Sequence, residues 1–333
     1  LIGLEILKKR LNKQFYFHRQ TFNNQTTGAI PFRVKNITNQ VFGVFRYPLS
    51  QVTSVSATVG GRLDKTIFQS QETGISFTVT EPLNQPNIEK LWANIKLEYV
   101  FDNTRSLGLN LPGGTRFKLF GEAYQMANSP YYNLFVAGGD FRNYIQIHRN
   151  LIWANRFAFS SSMGSAALIY YLGGVDNWTN FSSRTPTFIP LSEIRITDDQ
   201  NYAFQTVATN MRGFSQNIRN GSNFALINSE LRWPIVRYIA NYPLSNAFLE
   251  NFQVVGFFDI GTAWTGTSPW DKENGYDKDI IRQPSADAGI TIEIDAQRDP
   301  IVAGYGFGVR SQLLGYFVRL DWAWGIENRQ VLP

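Results

Sequence analysis

The strictest constraint on this chain is a repeat of two. From Leu91 to Phe101 the apolar residues Leu91, Ala93, Ile95, Leu97, Tyr99 and Phe101 fall on one side, and Asn94, Lys96, Glu98 and Asp102 fall on the other. Only an extended strand sends successive side chains to opposite faces, so this period excludes a helix there. Helical periodicity is nearly absent from the rest of the sequence.

The same alternation predicts strands along the whole chain. Ile2–Lys8 and Gln14–Arg19 form a first pair, followed by a polar loop and a strand ending Val41–Tyr47. Pro48-Leu49-Ser50 predicts a tight turn into Val52–Leu63. Leu111-Pro112-Gly113-Gly114 leads into Arg116–Tyr124, then Phe141–Arg149 and one long strand over Arg156–Leu172. An irregular segment, Gly173–Gly221, precedes a strand over Phe224–Val236. A turn near Asn241-Tyr242-Pro243 joins that strand to Phe248–Trp264. After a second long loop, Thr265–Pro300, come Ile301–Arg310 and Tyr316–Ile326. That makes about twelve strands, with short turns gathered on one side and long loops on the other, the asymmetry of a membrane barrel rather than a sandwich.

Composition narrows the class further. Charged residues are 17% of the 333, against about 25% in a typical soluble domain. Aromatics reach 15%, yet mean hydropathy is slightly negative at -0.22. Apolar residues dispersed over many short alternating strands reconcile these values. The uncharged run Phe157–Val175 has the length of a membrane helix, but its serines, glycines and tyrosines favour a strand. The net charge of +5 is scattered, with no basic patch, which argues against nucleic acid as a partner. There is no cysteine, so disulfides and thiolate metal sites are excluded.

Enzymatic signals are weak. His18 and His148 are the only histidines, and Ser160-Ser161-Ser162 lies outside any Gly-x-Ser-x-Gly elbow. The acidic loop Asp271, Glu273, Asp277, Asp279 lacks the ligand spacing of a calcium loop. The glycines near Gly304 precede no helix and are no dinucleotide fingerprint. The expectation is a non-enzyme with no metal and no cofactor.

Three segments carry more information: Met211-Arg212-Gly213-Phe214 followed by Leu226–Ile235; Gly256-Phe257-Phe258-Asp259-Ile260-Gly261-Thr262-Ala263-Trp264; and Gly304–Arg310 leading into Phe317–Trp322. In order and spacing they resemble the C-terminal barrel of the BamA/TamA superfamily, the bacterial surface antigen family. The resemblance is strong over Arg212–Trp324; upstream only the alternation and loop rhythm agree. It implies an all-β, antiparallel transmembrane β-barrel of about sixteen strands in the full protein, with about twelve here. Residues 1–333 would then be an incomplete outer-membrane barrel, its first strands, last strand and preceding periplasmic domains lying outside this sequence. Residues 173–221 would be a long extracellular loop folded into the lumen.

The resemblance also implies a latch: Arg212 reaches an acidic residue on the strand bearing Asp259, Gly213 lets the loop turn, and Phe214 packs on the inner wall. Alternation independently turns Asp259 inward, because Phe252, Val254, Phe258 and Ile260 take the other face. Parity puts Glu230, Arg232, Arg310, Arg319 and Asp321 on the same inward face, where they could form salt bridges around the loop or be ordinary lumen charge. Gly304, Gly306 and Gly308 would either leave room for the loop tip or relieve strand twist. The implied function is insertion or translocation of proteins at the outer membrane of a Gram-negative bacterium, without nucleotide hydrolysis. Its partners would be outer-membrane lipids, client outer-membrane or secreted proteins, and periplasmic or lipoprotein components. Two other readings stay open: a barrel that anchors or exports an N-terminal patatin-like lipase, and a passive pore or scaffold.

Overall fold

The structure, a computed structural model, describes residues 2–7, 10–25, 32–73, 78–82, 87–175, 205–207, 210–214, 218–240, 245–271, 274, 276–281, 292–297 and 299–331. In chain order the first strands are β1 (Ile2–Ile6), β2 (Asn12–Gln25), β3 (Phe32–Pro48), β4 (Thr53–Thr73), β5 (Thr78–Pro82), β6 (Ile88–Asp102) and β7 (Arg105–Ser106). Next come β8 (Pro112–Met126), β9 (Asn133–His148), β10 (Leu151–Met163), β11 (Ile169–Leu172), β12 (Gln205–Val207), β13 (Arg219–Gly221) and β14 (Asn223–Trp233). Two short helices, α1 (Ile235–Ile239) and α2 (Ala247–Glu250), precede β15 (Gln253–Trp264). The chain continues through β16 (Tyr276–Ile281), β17 (Ile292–Gln297), β18 (Val302–Leu313), β19 (Tyr316–Glu327) and β20 (Gln330–Val331).

The chain divides into two compact units. The first comprises Leu1–Val100, Leu119–Val136 and Gly164–Ala166. Its sheet runs β1-β2-β3-β4-β6, with antiparallel pairs such as Phe15↔Gly43 and Val44↔Thr58. Pro48 has no N–H to continue the ladder, and β3 ends there. The Leu49 amide then donates to the Thr53 carbonyl at 2.9 Å, closing the turn. On β6, Trp92 and Asn94 are buried while Leu91, Ile95 and Leu97 are exposed, Leu97 by 58%. The buried face carries polar pairs. Asp64 accepts from Arg62 and Thr38, both at 2.8 Å, and Lys96 lies 2.7 Å from Glu122.

The second unit comprises Phe101–Lys118, Ala137–Met163 and Ala167–Pro333. Its main sheet runs β10-β14-β15-β18-β19-β20, antiparallel throughout. Alternation is again inverted relative to a water-soluble protein. Along β10, Ile152, Ala154, Ala158, Ser160 and Ser162 are buried, whereas Trp153, Phe157 and Phe159 are exposed. Ile227, Leu231, Phe258, Tyr305 and Phe307 continue the exposed apolar face, Phe307 at 50%. Each half-exposed side chain of this size forfeits on the order of 1 kcal/mol in water. A dozen of them amount to roughly the whole stability of a domain. Hydrocarbon, not water, satisfies such a face.

Several expected boundaries move. The strand expected over Phe224–Val236 stops at Trp233, because Pro234 cannot donate and instead precedes α1. The connection to β15 is therefore no tight turn; its expected centre, Asn241-Tyr242-Pro243, lies outside the described residues. The end expected to hold only short turns therefore carries one long connection. The strand expected over Arg156–Leu172 is two strands. It breaks at Gly164, whose φ is +113° and where a Cβ would meet the Asn133 carbonyl oxygen at 2.5 Å. Downstream of that break β11 joins a separate three-stranded sheet, β12-β11-β13, so part of the expected irregular segment is ordered. The loop expected over Thr265–Pro300 likewise contains the β16–β17 hairpin.

Candidate functional site: a loop tip on the buried face

Register builds the site before any loop is considered. β14, β15, β18 and β19 are neighbours, and the pairs Asn228↔Asp259, Asp259↔Gly304 and Gly304↔Gly325 place one residue from each strand in a single cross-strand row. Period-two geometry turns all of them to the same face. The row offers a carboxamide, a carboxylate and two positions without side chains.

The segment 210–214 lies across this row, strand by strand. Asn228 donates to the Asn210 carbonyl at 3.1 Å. The Arg212 amide donates to Asp259 at 3.1 Å. A Cβ at Gly304 would collide with the Arg212 carbonyl oxygen. At Gly325 a Cβ would sit 2.6 Å from the Gly213 carbonyl oxygen and 2.5 Å from the Phe214 ring. The two glycines are the space the loop backbone occupies. Gly213 itself has φ +92°, and a Cβ there would meet the Trp324 carbonyl oxygen at 2.6 Å, so geometry and space both demand glycine. Gly174 closes the turn from behind, accepting from the Met211 amide at 3.0 Å and donating to Phe214 at 3.2 Å. Met211 and Phe214 enter an apolar cluster with Leu172, Phe224, Leu226 and Val302.

The two carboxylates of the site are fully matched by donors. Arg212 grips Asp259 side-on, Nε to Oδ2 at 2.8 Å and Nη2 to Oδ1 at 2.7 Å. With the Arg212 amide and Asn228 Nδ2 (2.8 Å), Asp259 accepts four hydrogen bonds while wholly buried. Glu230 is a second such centre. Arg212 Nη1 donates to it at 2.5 Å, Arg232 Nε at 2.8 Å, and Arg310 through Nη2 and Nη1 at 3.0 and 3.1 Å. Four donors use all the acceptor sites of a carboxylate, which is the condition for keeping its charge out of water. The Arg212 guanidinium also lies 3.7 Å from the Phe257 ring centroid, the closeness expected of a cation held over an aromatic face.

The structure thus brings together Arg212, Gly213, Phe214, Asp259, Glu230, Arg232 and Arg310. Arg319 and Asp321 form a separate pair, 3.4 Å apart. The three glycines of β18 divide their roles. Gly304 faces the loop tip, Gly306 makes room for the Phe257 ring, and Gly308 for the Asp321 side chain. Sequence reasoning missed Asn228 and Gly325, both legible by parity: each shares a face with a named residue on its own strand. It also missed Arg219, which donates to Glu327 at 2.7 Å and to the Asp299 carbonyl at 2.9 Å near the base of the loop. No periodic signal marks Arg219.

Other candidates find ordinary partners. His148 Nδ1 is 2.7 Å from the Tyr238 hydroxyl, and Ser160 is 2.7 Å from that of Tyr170. Asp271 accepts from the Ser268 amide at 3.0 Å, as a turn-capping residue does. The side chains of Glu273, Asp277 and Asp279 lie outside the described residues.

The sequence matches no protein-family model and no curated protein. Solved structures do match. BamA from Haemophilus ducreyi lacking POTRA domains 1-3 superposes with a TM-score of 0.52 at 14% identity, over 96% of this chain and 56% of that one. CdiB from Escherichia coli gives 0.48 at 11% identity, over 99% of this chain and 50% of that one. CdiB from Acinetobacter baumannii gives 0.48 at 13% identity, over 98% and 45%. The chain spans about half the length of the structures it matches. Its inverted alternation, its antiparallel order and the likeness to the Haemophilus structure agree that the chain has the fold of a BamA-like transmembrane β-barrel.

Proposed function

We propose that this chain is the barrel of an outer-membrane protein that inserts or translocates other proteins, its lumen occupied by the Arg212-Gly213-Phe214 tip acting as a latch. The observation that carries this reading is the seating of the tip on the row Asn228, Asp259, Gly304 and Gly325. A barrel whose task is passive conduction gains nothing from filling two glycine positions with loop backbone. A barrel that must stay sealed while handling protein clients does. This reading requires neither hydrolysis nor a cofactor. Lipid meets the exposed apolar face, clients meet the barrel, and periplasmic or lipoprotein components are the expected accessory partners.

The test is conductance of the full-length protein in planar bilayers, together with client assembly in cells. The latched reading expects low, flickering conductance that rises with Arg212→Ala, alongside a loss of client assembly. A large, steady conductance in the unaltered protein, or normal assembly with Arg212→Ala, would sink it.

A further inference from the structure

The Glu230 centre has a second arm that the loop tip does not use. Arg232, two residues along the same face of β14, donates Nε to Glu230 and Nη1 to the Asn110 carbonyl at 2.9 Å. Asn110 belongs to the connection between β7 and β8, in the same compact unit. On β15 the wholly buried Gln253 donates to the neighbouring Leu109 carbonyl at 2.6 Å. Arg232 and Gln253 lie at the ends of β14 and β15 away from the long loop, which enters β14 at Asn223.

This connection is built to dock. Leu107 and Leu111 close it through the Leu107 amide and the Leu111 carbonyl at 2.9 Å, and Asn110 takes a φ of +58°. Leu111 is 2% exposed and packs with Ile152 and Ala154. The β18–β19 turn is the contrast: two residues long, with Leu314 90% exposed. A turn whose carbonyls are gripped by a half-buried Arg and a wholly buried Gln has been drawn toward the buried face, with Leu111 inserted and Leu109 left exposed.

We propose that the Leu107–Leu111 turn is a second plug at the opposite end of the strands, and that Glu230 and Arg232 couple it to the Arg212 tip. This rests on the latch reading above. The physical reason is donor bookkeeping. If Arg212 leaves, Glu230 keeps only Arg232 and Arg310, and Arg232 is drawn toward the unfilled Glu230 site and off the Asn110 carbonyl. If Arg232 is removed, Glu230 loses one donor and the turn at once loses one of its two side-chain anchors, keeping only Gln253. The two plugs then loosen together rather than independently.

Residues 1–333 hold no cysteine, so a cysteine introduced there reports docking once any cysteine elsewhere in the full-length protein is replaced by serine. Leu111→Cys reports the turn, and Phe214→Cys, at a 7% exposed position, reports the tip. Both are made in the full-length protein in outer-membrane vesicles and labelled with a membrane-impermeant maleimide after permeabilisation. Adding Arg212→Ala is expected to raise labelling of both sites about tenfold or more, as local opening does. Adding Arg232→Gln is expected to raise both as well. If Arg212→Ala exposes the tip but leaves the turn protected, the coupling is wrong and the latch stands. If Arg212→Ala leaves the Phe214→Cys site protected, the latch itself is wrong. If Arg212→Ala does not assemble, Arg232→Gln decides: an exposed turn with a protected tip overturns the coupling.

Discussion

At the scale of single residues, Asp259 explains most of the site. It is wholly buried and survives there because four donors face it, three of them from Arg212. Removing one partner of such a pair strands the other, which costs about 3–5 kcal/mol. Arg212→Ala and Asp259→Ala should therefore lower unfolding stability by similar amounts. The double variant should lose little more, as a double-mutant cycle in vesicles measures; strict additivity would rule out direct pairing. Arg212→Lys keeps the charge but cannot grip Asp259 side-on and reach Glu230 together. It should cost on the order of 2 kcal/mol, clearly short of wild type. Glycine substitutions separate space from propensity. Gly304→Ala should displace the tip, because its Cβ collides with the Arg212 carbonyl. Gly256→Ala on the neighbouring strand meets nothing within 4 Å and should be nearly silent in the same unfolding assay.

At the scale of elements, the order of stability follows from how many sides of a strand are paired. β15 is laddered to β14 through eleven pairs and to β18 through nine, and its buried face is covered by the tip. β20 has two pairs with one neighbour. Amide exchange by mass spectrometry should show the slowest exchange in β15 and fast exchange in β20. Equal rates would mean that the tip adds nothing to the strands beneath it. Element boundaries were only partly legible. Alternation located β6, β18 and β19 within a few residues, because each is a strand with one apolar face. It overran at Pro234, where a missing donor ends the ladder, and across Gly164, where a positive φ turns the chain.

At the scale of the whole molecule, the exposed apolar faces of both units decide the solvent. Charge placed there should be costly in lipid and harmless in water. Leu97→Arg and Phe307→Arg should each lower stability in vesicles by about 2–4 kcal/mol if near mid-depth. Assembly yield and urea unfolding measure this. Neutral outcomes would mean that these faces meet something other than hydrocarbon.

Sequence alone determined the class of fold and the side of each strand on which charge lies. Both follow from a period of two, which is a local property of the backbone. It therefore turned Asp259, Glu230, Arg232 and Arg310 to one face. What it did not contain is distance between strands. Only register aligned Asn228, Asp259, Gly304 and Gly325 into one row, and only the folded loop laid 210–214 across it. The same holds for the division of donors between Asp259 and Glu230, and for the turn carbonyls taken by Arg232 and Gln253. These are contacts between residues far apart in the chain, and their partners are chosen by strand order and packing, which no local pattern records.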